Sequence, residues 1–237
     1  MKKLLNTLIL TLSVMFIPTS CVMYHPHNVD IPLLHQQGDL RVDASVSGTL
    51  PLIDGSGMNA SVSYAPVNHL GLQVSGSVTE LENLYGQAAV GGFVPFGKSV
   101  LEGYVGYGIG HSNYESNSSS NKNYTVGGRY DVVYGQLNFG WNDLANGVID
   151  VGIGVRGGML KPQWKKVAAG EDASHDGDFE YTEQHPLIEP QLVFRAGNEH
   201  VKFAINVVYS YVDGWPTDNN HINRVPFSLG LGIYFKF

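Results

Sequence analysis

Apolar and polar residues alternate along most of this chain, from residue 38 to the last residue, and this period of two limits the possible folds most. In the segment Leu40–Ser47, every second residue is apolar, and the residues between them are charged or small and polar. Successive side chains of a β-strand point to opposite faces of a sheet, so the pattern predicts strands with one apolar and one polar face. No convincing helical period follows the first twenty residues, and the chain is therefore expected to be all-β.

The alternating segments predict about ten strands joined by connections of two kinds. The segments are 40–47, 58–64, 70–75, 87–94, 101–109, 133–141, 149–156, 188–195, 201–211 and 227–237. Short turns such as 66–69 alternate with longer polar segments such as 111–126 and 160–186. At about ten residues and a tilt of about 40°, a strand covers roughly 25 Å, the height of the apolar band of a membrane barrel. These features predict an antiparallel, up-and-down transmembrane β-barrel with short periplasmic turns and long extracellular loops.

Alternation alone does not say which face points inward, because a soluble lipocalin-like barrel places its apolar face inside. Here the aromatic residues of the apolar face cluster near the strand ends, as in the girdles of membrane barrels. The charges of the polar face nearly balance, which suits a narrow lumen where charges must pair. We therefore expect the following charges in the barrel interior: Arg41, Asp43, Glu102, Asp150, Arg156, Glu189, Arg195, Lys202 and Lys236. A lipid-anchored, soluble, lipocalin-like carrier is the alternative if the faces are reversed.

The first residues predict export from the cytoplasm. Two lysines precede a mostly apolar run from Leu4 to Ile17, which is too short to span a bilayer comfortably and is typical of a secretory signal peptide. Small residues then lead to Cys21, the only cysteine of the chain. This arrangement resembles a bacterial lipoprotein cleavage site and implies lipidation of Cys21. The next segment contains Pro26 and Pro32 and no periodicity, so it is expected to be an extended, solvated tether.

Composition excludes several classes of protein. Only 15% of the residues are charged and 43% are hydrophobic, which argues against intrinsic disorder. A net charge of −7 does not suit a nucleic-acid partner. A single cysteine excludes an internal disulfide framework and a cysteine-based zinc site. We expect no metal and no cofactor.

The last strand carries the most specific resemblance. It alternates throughout and ends on an aromatic residue of the apolar face. It resembles the C-terminal signal of bacterial outer-membrane β-barrel proteins, with Phe237, Phe235 and Ile233 in the positions that the barrel-insertion machinery reads. With its lipoprotein-like start, the chain is similar to the lipid-anchored barrels of Bacteroidetes-type bacteria. No acidic run follows Cys21, which favours an anchor in the inner leaflet.

This resemblance implies a protein of the cell outer membrane that contacts outer-membrane lipids and has both termini in the periplasm. Its implied divisions are a lipoprotein signal peptide at 1–20, a lipidated periplasmic tether at 21–37 and an outer-membrane β-barrel at 38–237. We expect a non-enzymatic structural or interaction protein whose loops contact an unknown extracellular partner. A narrow passive channel for small solutes is the alternative.

No catalytic residues are expected, although two sets of polar residues are candidates. Asp131, Asp176, Glu180, His175 and His185 could serve a barrel protease but show no recognisable pair spacing. The stretch His111–Asn113 resembles that of outer-membrane lipid A deacylases, which makes a lipid A-modifying hydrolase an alternative. His111 and Ser112 are adjacent, however, and adjacent strand residues point to opposite faces. The loop histidines His175, His185 and His221 could bind a metal together, but nothing in the sequence requires it.

Overall fold

The computed structural model describes residues 22–48, 57–79, 83–116, 124–168, 179–214, 223–224 and 226–237. Its strands are β1 (Val22–Tyr24), β2 (Leu40–Gly48), β3 (Gly57–Val67), β4 (Leu70–Thr79), β5 (Asn83–Phe96), β6 (Ser99–Ser116), β7 (Tyr124–Asp143), β8 (Ile149–Ala168), β9 (Phe179–Tyr181), β10 (His185–Gly197), β11 (Val201–Tyr209), β12 (Tyr211–Val212), β13 (Asn223–Arg224) and β14 (Phe227–Lys236). One four-residue helical turn, Leu144–Gly147, joins β7 to β8. In the part of the chain described, no helix has the length and apolarity to cross a membrane.

Ten of these strands form a closed antiparallel barrel. Each strand from β2 to β8 pairs with the next, β8 pairs with β10, β10 with β11, and β11 with β14. The barrel closes where β14 pairs with β2, with Ile233 opposite Ala44. Short strands β9 and β12 extend the wall, and β1 pairs in parallel with β13. The predicted fold class, an antiparallel barrel of ten strands, is confirmed.

The two ends of the barrel differ in their connections. At one end, two to five residues join β3 to β4, β5 to β6, β7 to β8 and β10 to β11. We call this end the short-turn rim, and the opposite end the long-connection rim. The last residue lies at the short-turn rim, where the backbone N–H of Phe237 donates to Leu40 O at 3.0 Å.

The apolar face of the sheet points outward. Large apolar side chains such as Met58 (69% exposed), Val105 (64%) and Phe203 (75%) lie on the outer surface. The inner face carries the polar and charged side chains, among them Gln136 and Asn138. A soluble lipocalin-like barrel needs the reverse arrangement, so that alternative is wrong for this chain.

Three neighbouring strands are longer than predicted. β6 has 18 residues, and β7 and β8 have 20 each. At about 3.3 Å per residue and a tilt of about 40°, twenty residues cover a height of roughly 50 Å, well beyond the apolar band of about 25 Å. Parts of 111–126 and 160–186, predicted to be loops, therefore continue the strands. The extended ends of these strands form a taller part of the barrel wall. Buried side chains such as Tyr130 and Trp164 pack against each other inside it.

The segment predicted to be a solvated tether lies inside the barrel. Residues 24–35, which we call the lumen segment, contain Tyr24, Val29, Ile31, Leu33 and Leu34, all 1% exposed or less. The segment is extended, as predicted, but protein rather than water surrounds it. The expectation of a solvated tether is therefore corrected for residues 24–34, while Cys21 and the predicted signal peptide 1–20 lie outside the described residues. Val22, the first described residue, pairs with Asn223 at the long-connection rim, whereas Phe237 lies at the short-turn rim.

Candidate functional site: the filled lumen

The lumen segment enters the barrel through a sharp turn at the short-turn rim. Asp39 organises this turn, because its Oδ2 accepts hydrogen bonds from the backbone N–H of His35 at 2.6 Å and of Gln36 at 3.2 Å. Gly38 has a φ of +88°, a conformation that glycine adopts without steric cost, and its N–H donates to Ala65 O at 2.8 Å. The turn reverses the chain, so that the lumen segment and β2 run side by side in opposite directions.

Apolar side chains hold the lower part of the lumen segment. Ile31, Leu33 and Leu34 pack in one buried cluster with residues of the wall that include Phe93 and Val100. Burial of each such aliphatic side chain stabilises the folded state by about 1.5–3 kcal/mol. The backbone is satisfied here by wall side chains: Asn142 Nδ2 donates to the carbonyl of Leu33 at 2.7 Å.

Asp30 connects the middle of the lumen segment to several strands at once. Its backbone carbonyl accepts hydrogen bonds from Gln136 at 2.6 Å and Asn138 at 3.2 Å, both on β7. Its carboxylate accepts hydrogen bonds from Ser61 and Ser63 on β3. Since an extended chain inside a barrel has no ladder of its own, these side chains take the role that a neighbouring strand has in a sheet.

Aromatic rings surround the upper part of the lumen segment. The His27 ring stacks on Tyr85 with 3.6 Å between ring centroids, and His27 Nε2 lies 2.9 Å from the Tyr130 hydroxyl. The Tyr24 hydroxyl donates to Glu189 Oε1 at 2.8 Å, and Arg156 donates to the carbonyl of His27 at 3.1 Å. These contacts fix both the backbone and the side chains of the segment.

The structure places eight of the nine predicted interior charges in buried positions, and Lys236, whose side chain is 20% exposed, at the short-turn rim. Arg156 pairs with Glu189, and Lys202 with Asp150 at 2.6 Å. Arg195 serves the lumen segment directly, because its Nη2 donates to Ile31 O at 2.7 Å while its guanidinium stacks 3.8 Å above the Tyr234 ring.

The remaining interior charges bond near the lower half of the segment. Arg41 Nη2 donates to Asp39 at 2.8 Å, and Glu102 Oε1 accepts the backbone N–H of Leu34 at 2.8 Å. Lys236 bonds Asp143 at 2.7 Å. Asp43 faces a small cavity that Arg195 also lines. Arg41, Glu102 and Arg195, expected to pair with other charges in a narrow lumen, thus bond to the segment or its turn.

A small cavity lies beside the middle of the lumen segment. The cavity lined by Asp30, Asp43 and Arg195 has a volume of about 20 Å³. A single water molecule needs roughly 10–15 Å³ measured in this way, so the space holds one or two waters. The carboxylate Oδ2 of Asp43 and the Nε and Nη1 of Arg195 form no direct protein hydrogen bonds, and such waters would satisfy them.

The residues weighed as catalytic do not come together. His111 is exposed on the outer face, whereas Ser112 is 2% exposed, as expected for neighbours on a strand. Asp131 pairs with Arg129 on the outer surface, and Glu180 lies 3.5 Å from Lys165 there. His185, by contrast, is buried, with its Nδ1 2.9 Å from Asp213 O. His175, Asp176 and His221 lie outside the described residues, and within those described no group of His, Cys, Asp and Glu could hold a metal ion.

Sequence reasoning missed the lumen segment and the aromatic residues that surround it. Tyr85, Tyr130 and Tyr134 point inward on the polar face, and each fills space above a glycine of β6, namely Gly108, Gly110 and Gly106. A signal for them exists in the sequence, because glycines alternate along β6 and leave room for large inward side chains. The apolar residues Ile31, Leu33 and Leu34 are a second signal, since a solvated tether would expose these side chains to water.

Comparison with known proteins gives the fold. No family model matches the chain, and no curated protein matches it. The outer-membrane protease OmpT of Escherichia coli has a similar structure, with 9% identity, 85% of this chain and 94% of that chain covered, and a TM-score of 0.59. The translocator domain of the autotransporter NalP of Neisseria meningitidis (11% identity, 86% and 91% covered) and the KdgM porin (11%, 83% and 99%) give TM-scores of 0.46 and 0.39, too low to support an argument.

The expectation that the chain is not an enzyme is corrected by this comparison. The fold is shared with a protease, so a ten-stranded barrel of this shape gives no ground for excluding catalysis. An identity of 9% transfers no activity either, and the fold alone does not define function. The chain has the fold of an outer-membrane β-barrel, with a lumen occupied by its own N-terminal residues.

Proposed function

We propose that this chain is an outer-membrane β-barrel sealed by its own N-terminal segment, and that it acts as a closed scaffold presenting its long connections at the cell surface. The observation that supports this proposal is the filled lumen. Residues 24–35 contact side chains from β2, β3, β4, β5, β6, β7, β8, β10 and β14, and the space beside Asp30 is about 20 Å³.

The outer surface supports placement in a membrane. Exposed apolar side chains continue around the wall, including Val74 (61% exposed) and Leu137 (61%), and soluble monomers rarely expose an apolar surface of this extent. The terminal strand, with Phe237, Phe235 and Ile233, would be read by the barrel-insertion machinery. The signal peptide 1–20 would direct export, and Cys21 would carry a lipid. The long connections would then contact an extracellular partner.

A narrow passive channel is the competing function, and the contacts of the lumen segment with the wall argue against an open pore. An open pore needs a continuous water-filled path, whereas the polar groups of this wall are bonded to the segment. Gln136, Arg195 and Arg156 each donate to one of its carbonyls. If the lumen segment left the barrel, each of these hydrogen bonds would break. A buried polar group left without a partner costs about 1–3 kcal/mol unless water replaces the partner.

The proposal is tested by planar-bilayer conductance of the mature chain with Cys21→Ser, folded in detergent. We expect no discrete openings from the full chain. A variant lacking residues 22–35 is expected to conduct, because the wall then lines an empty lumen. Heat-dependent migration on gels verifies that both proteins are folded barrels. Reproducible openings from the full chain would overturn the sealed scaffold and favour the channel.

A further inference from the structure

The upper end of the lumen segment reaches the long-connection rim. Strand β1 pairs in parallel with β13, with Val22 opposite Asn223 and Tyr24 opposite Arg224. Strand β13 belongs to the connection between β12 and β14, and β14 begins at Phe227, opposite Tyr209 at the upper end of β11. Val22 therefore lies at the rim opposite to the one that holds the chain end Phe237.

The lower end of the segment lies at the short-turn rim, so the chain crosses the whole barrel. Leu40 N donates to Phe237 O at 3.1 Å at that rim. Eleven residue steps separate Tyr24 from His35, where the turn begins, and an extended chain of that length covers roughly 36–40 Å. That length exceeds the roughly 30 Å of a bilayer hydrocarbon core.

The lumen segment reaches the long-connection rim beside strands that are short. Strands β11 and β14 have 9 and 10 residues, compared with 20 in β7 and β8. Strands of about ten residues end close to the membrane surface, since a tilted strand of that length just spans the apolar band. A chain that leaves the barrel beside β14 is therefore near the lipid headgroups of that leaflet.

We infer that the N-terminal end of the mature chain is displayed on the outer side of the membrane, and that a lipid on Cys21 inserts into the outer leaflet. This inference rests on the proposed function, which places the long-connection rim outside the cell. It reverses the inner-leaflet anchor expected from the sequence. Val22 lies at the long-connection rim, so acyl chains on the neighbouring Cys21 would enter the leaflet nearest to that rim.

The test places the same short epitope at three positions of the full chain in cells. One copy is inserted between Cys21 and Val22, one in the connection 117–123 at the long-connection rim, and one in the turn at Gly97–Lys98 at the short-turn rim. Antibody labelling of intact cells is compared with labelling after the outer membrane is permeabilised. We expect the first epitope to be labelled on intact cells to the same extent as the second, while the third requires permeabilisation.

Labelling of the first epitope only after permeabilisation, with the second labelled on intact cells, would overturn the inference and leave the sealed scaffold intact. Labelling of the third epitope alone on intact cells would overturn the proposed orientation and the inference with it. The variant Cys21→Ser is expected to leave the labelling unchanged, because the barrel rather than the lipid positions the segment.

A cross-link tests the same path without an insertion. In the Cys21→Ser background, the pair Val22→Cys and Asn223→Cys joins two register partners and is expected to form a disulfide, seen as a changed gel mobility that a reductant reverses. The pair Val22→Cys and Lys98→Cys joins opposite rims and is expected to form none. Cross-linking of the second pair in place of the first would overturn the inference.

Discussion

Arg156 and Glu189 face each other as register partners on β8 and β10, and together they hold the lumen segment at two points. Arg156 Nε donates to Glu189 Oε2 at 2.7 Å, and both side chains are fully buried. Arg156 also donates to the carbonyl of His27, and Glu189 accepts the hydroxyl of Tyr24. The ion pair therefore stabilises the wall and the contents of the barrel together.

Replacing Glu189 tests this pair. Glu189→Gln leaves the charge of Arg156 buried without its counter-ion, and removal of one partner of a buried pair costs about 3–5 kcal/mol. We expect a loss of that size in the free energy of unfolding, measured by urea titration of the detergent-folded barrel. The control is Arg129→Gln at the exposed pair with Asp131, where the expected loss is below about 1 kcal/mol. Similar losses in both variants would contradict the role of the buried pair.

The close approach of Gly108 and Tyr85 gives a second prediction. A Cβ at position 108 would overlap the phenol of Tyr85, whose ring stacks on His27. Gly108→Ala should displace Tyr85 and lower stability by about 1–3 kcal/mol, the usual cost of overpacking. Gly86→Ala is the matched control, since a Cβ there meets nothing within 4 Å. The temperature at which the folded gel band disappears measures both variants, and an unchanged Gly108→Ala protein would contradict the packing described.

Leu34 secures the lower end of the lumen segment and gives a third prediction. Leu34→Ala removes a fully buried side chain from the cluster with Phe93 and Val100, at a cost of about 2–5 kcal/mol. Because this cost falls on the contacts between segment and wall, we expect brief conductance openings that the parent chain lacks. Leu72→Ala, on the exposed outer face, is expected to remain silent in the same bilayer recording. Silence from Leu34→Ala would show that the remaining contacts suffice to seal the lumen.

Asp143, the last residue of β7 at the short-turn rim, gives a prediction on pH. Partial burial acts to raise the pKa of its carboxyl, but the hydrogen bond from Lys236 and the charges of Lys236 and Lys202 outweigh burial and hold the pKa below its usual value. The ionised carboxylate therefore stabilises the fold above the pKa of the unfolded chain, about 3.9, and this contribution is lost as the pH falls through the lower folded value.

We expect Asp143→Asn to lower the urea midpoint at pH 7, and the difference from the parent to shrink as the pH falls below about 4. Asparagine suits the left-handed backbone at this position, where φ is 56°, so the comparison reports the charge. A difference that stays constant between pH 7 and pH 3 would contradict the ion pair with Lys236.

The period of two predicted the strands, because side-chain alternation is a local property of an extended chain. The aromatic residues near the strand ends and the balanced charges of the polar face predicted that the apolar face points outward. The period of two predicted too little strand in β6, β7 and β8, since their upper parts alternate weakly and are held by packing between distant residues such as Trp164 and Tyr130, with ring centroids 6.4 Å apart. The lumen segment has no period at all. Its backbone accepts hydrogen bonds from side chains of the wall, such as Gln136 and Arg195. Contacts of this kind join residues that are distant in sequence, so no local pattern predicts them.

The turn at Gln36–Asp39 joins the lumen segment covalently to β2, and this linkage governs what happens if the segment leaves the lumen. A segment whose contacts with the wall break would stay attached to the barrel through this turn. Short flexible linkers hold a tethered ligand at an effective concentration on the order of millimolar. Re-entry would therefore be a fast unimolecular step, independent of how much protein the membrane contains. Any opening of the barrel would therefore be brief, because the lumen segment cannot diffuse away and would close the lumen again.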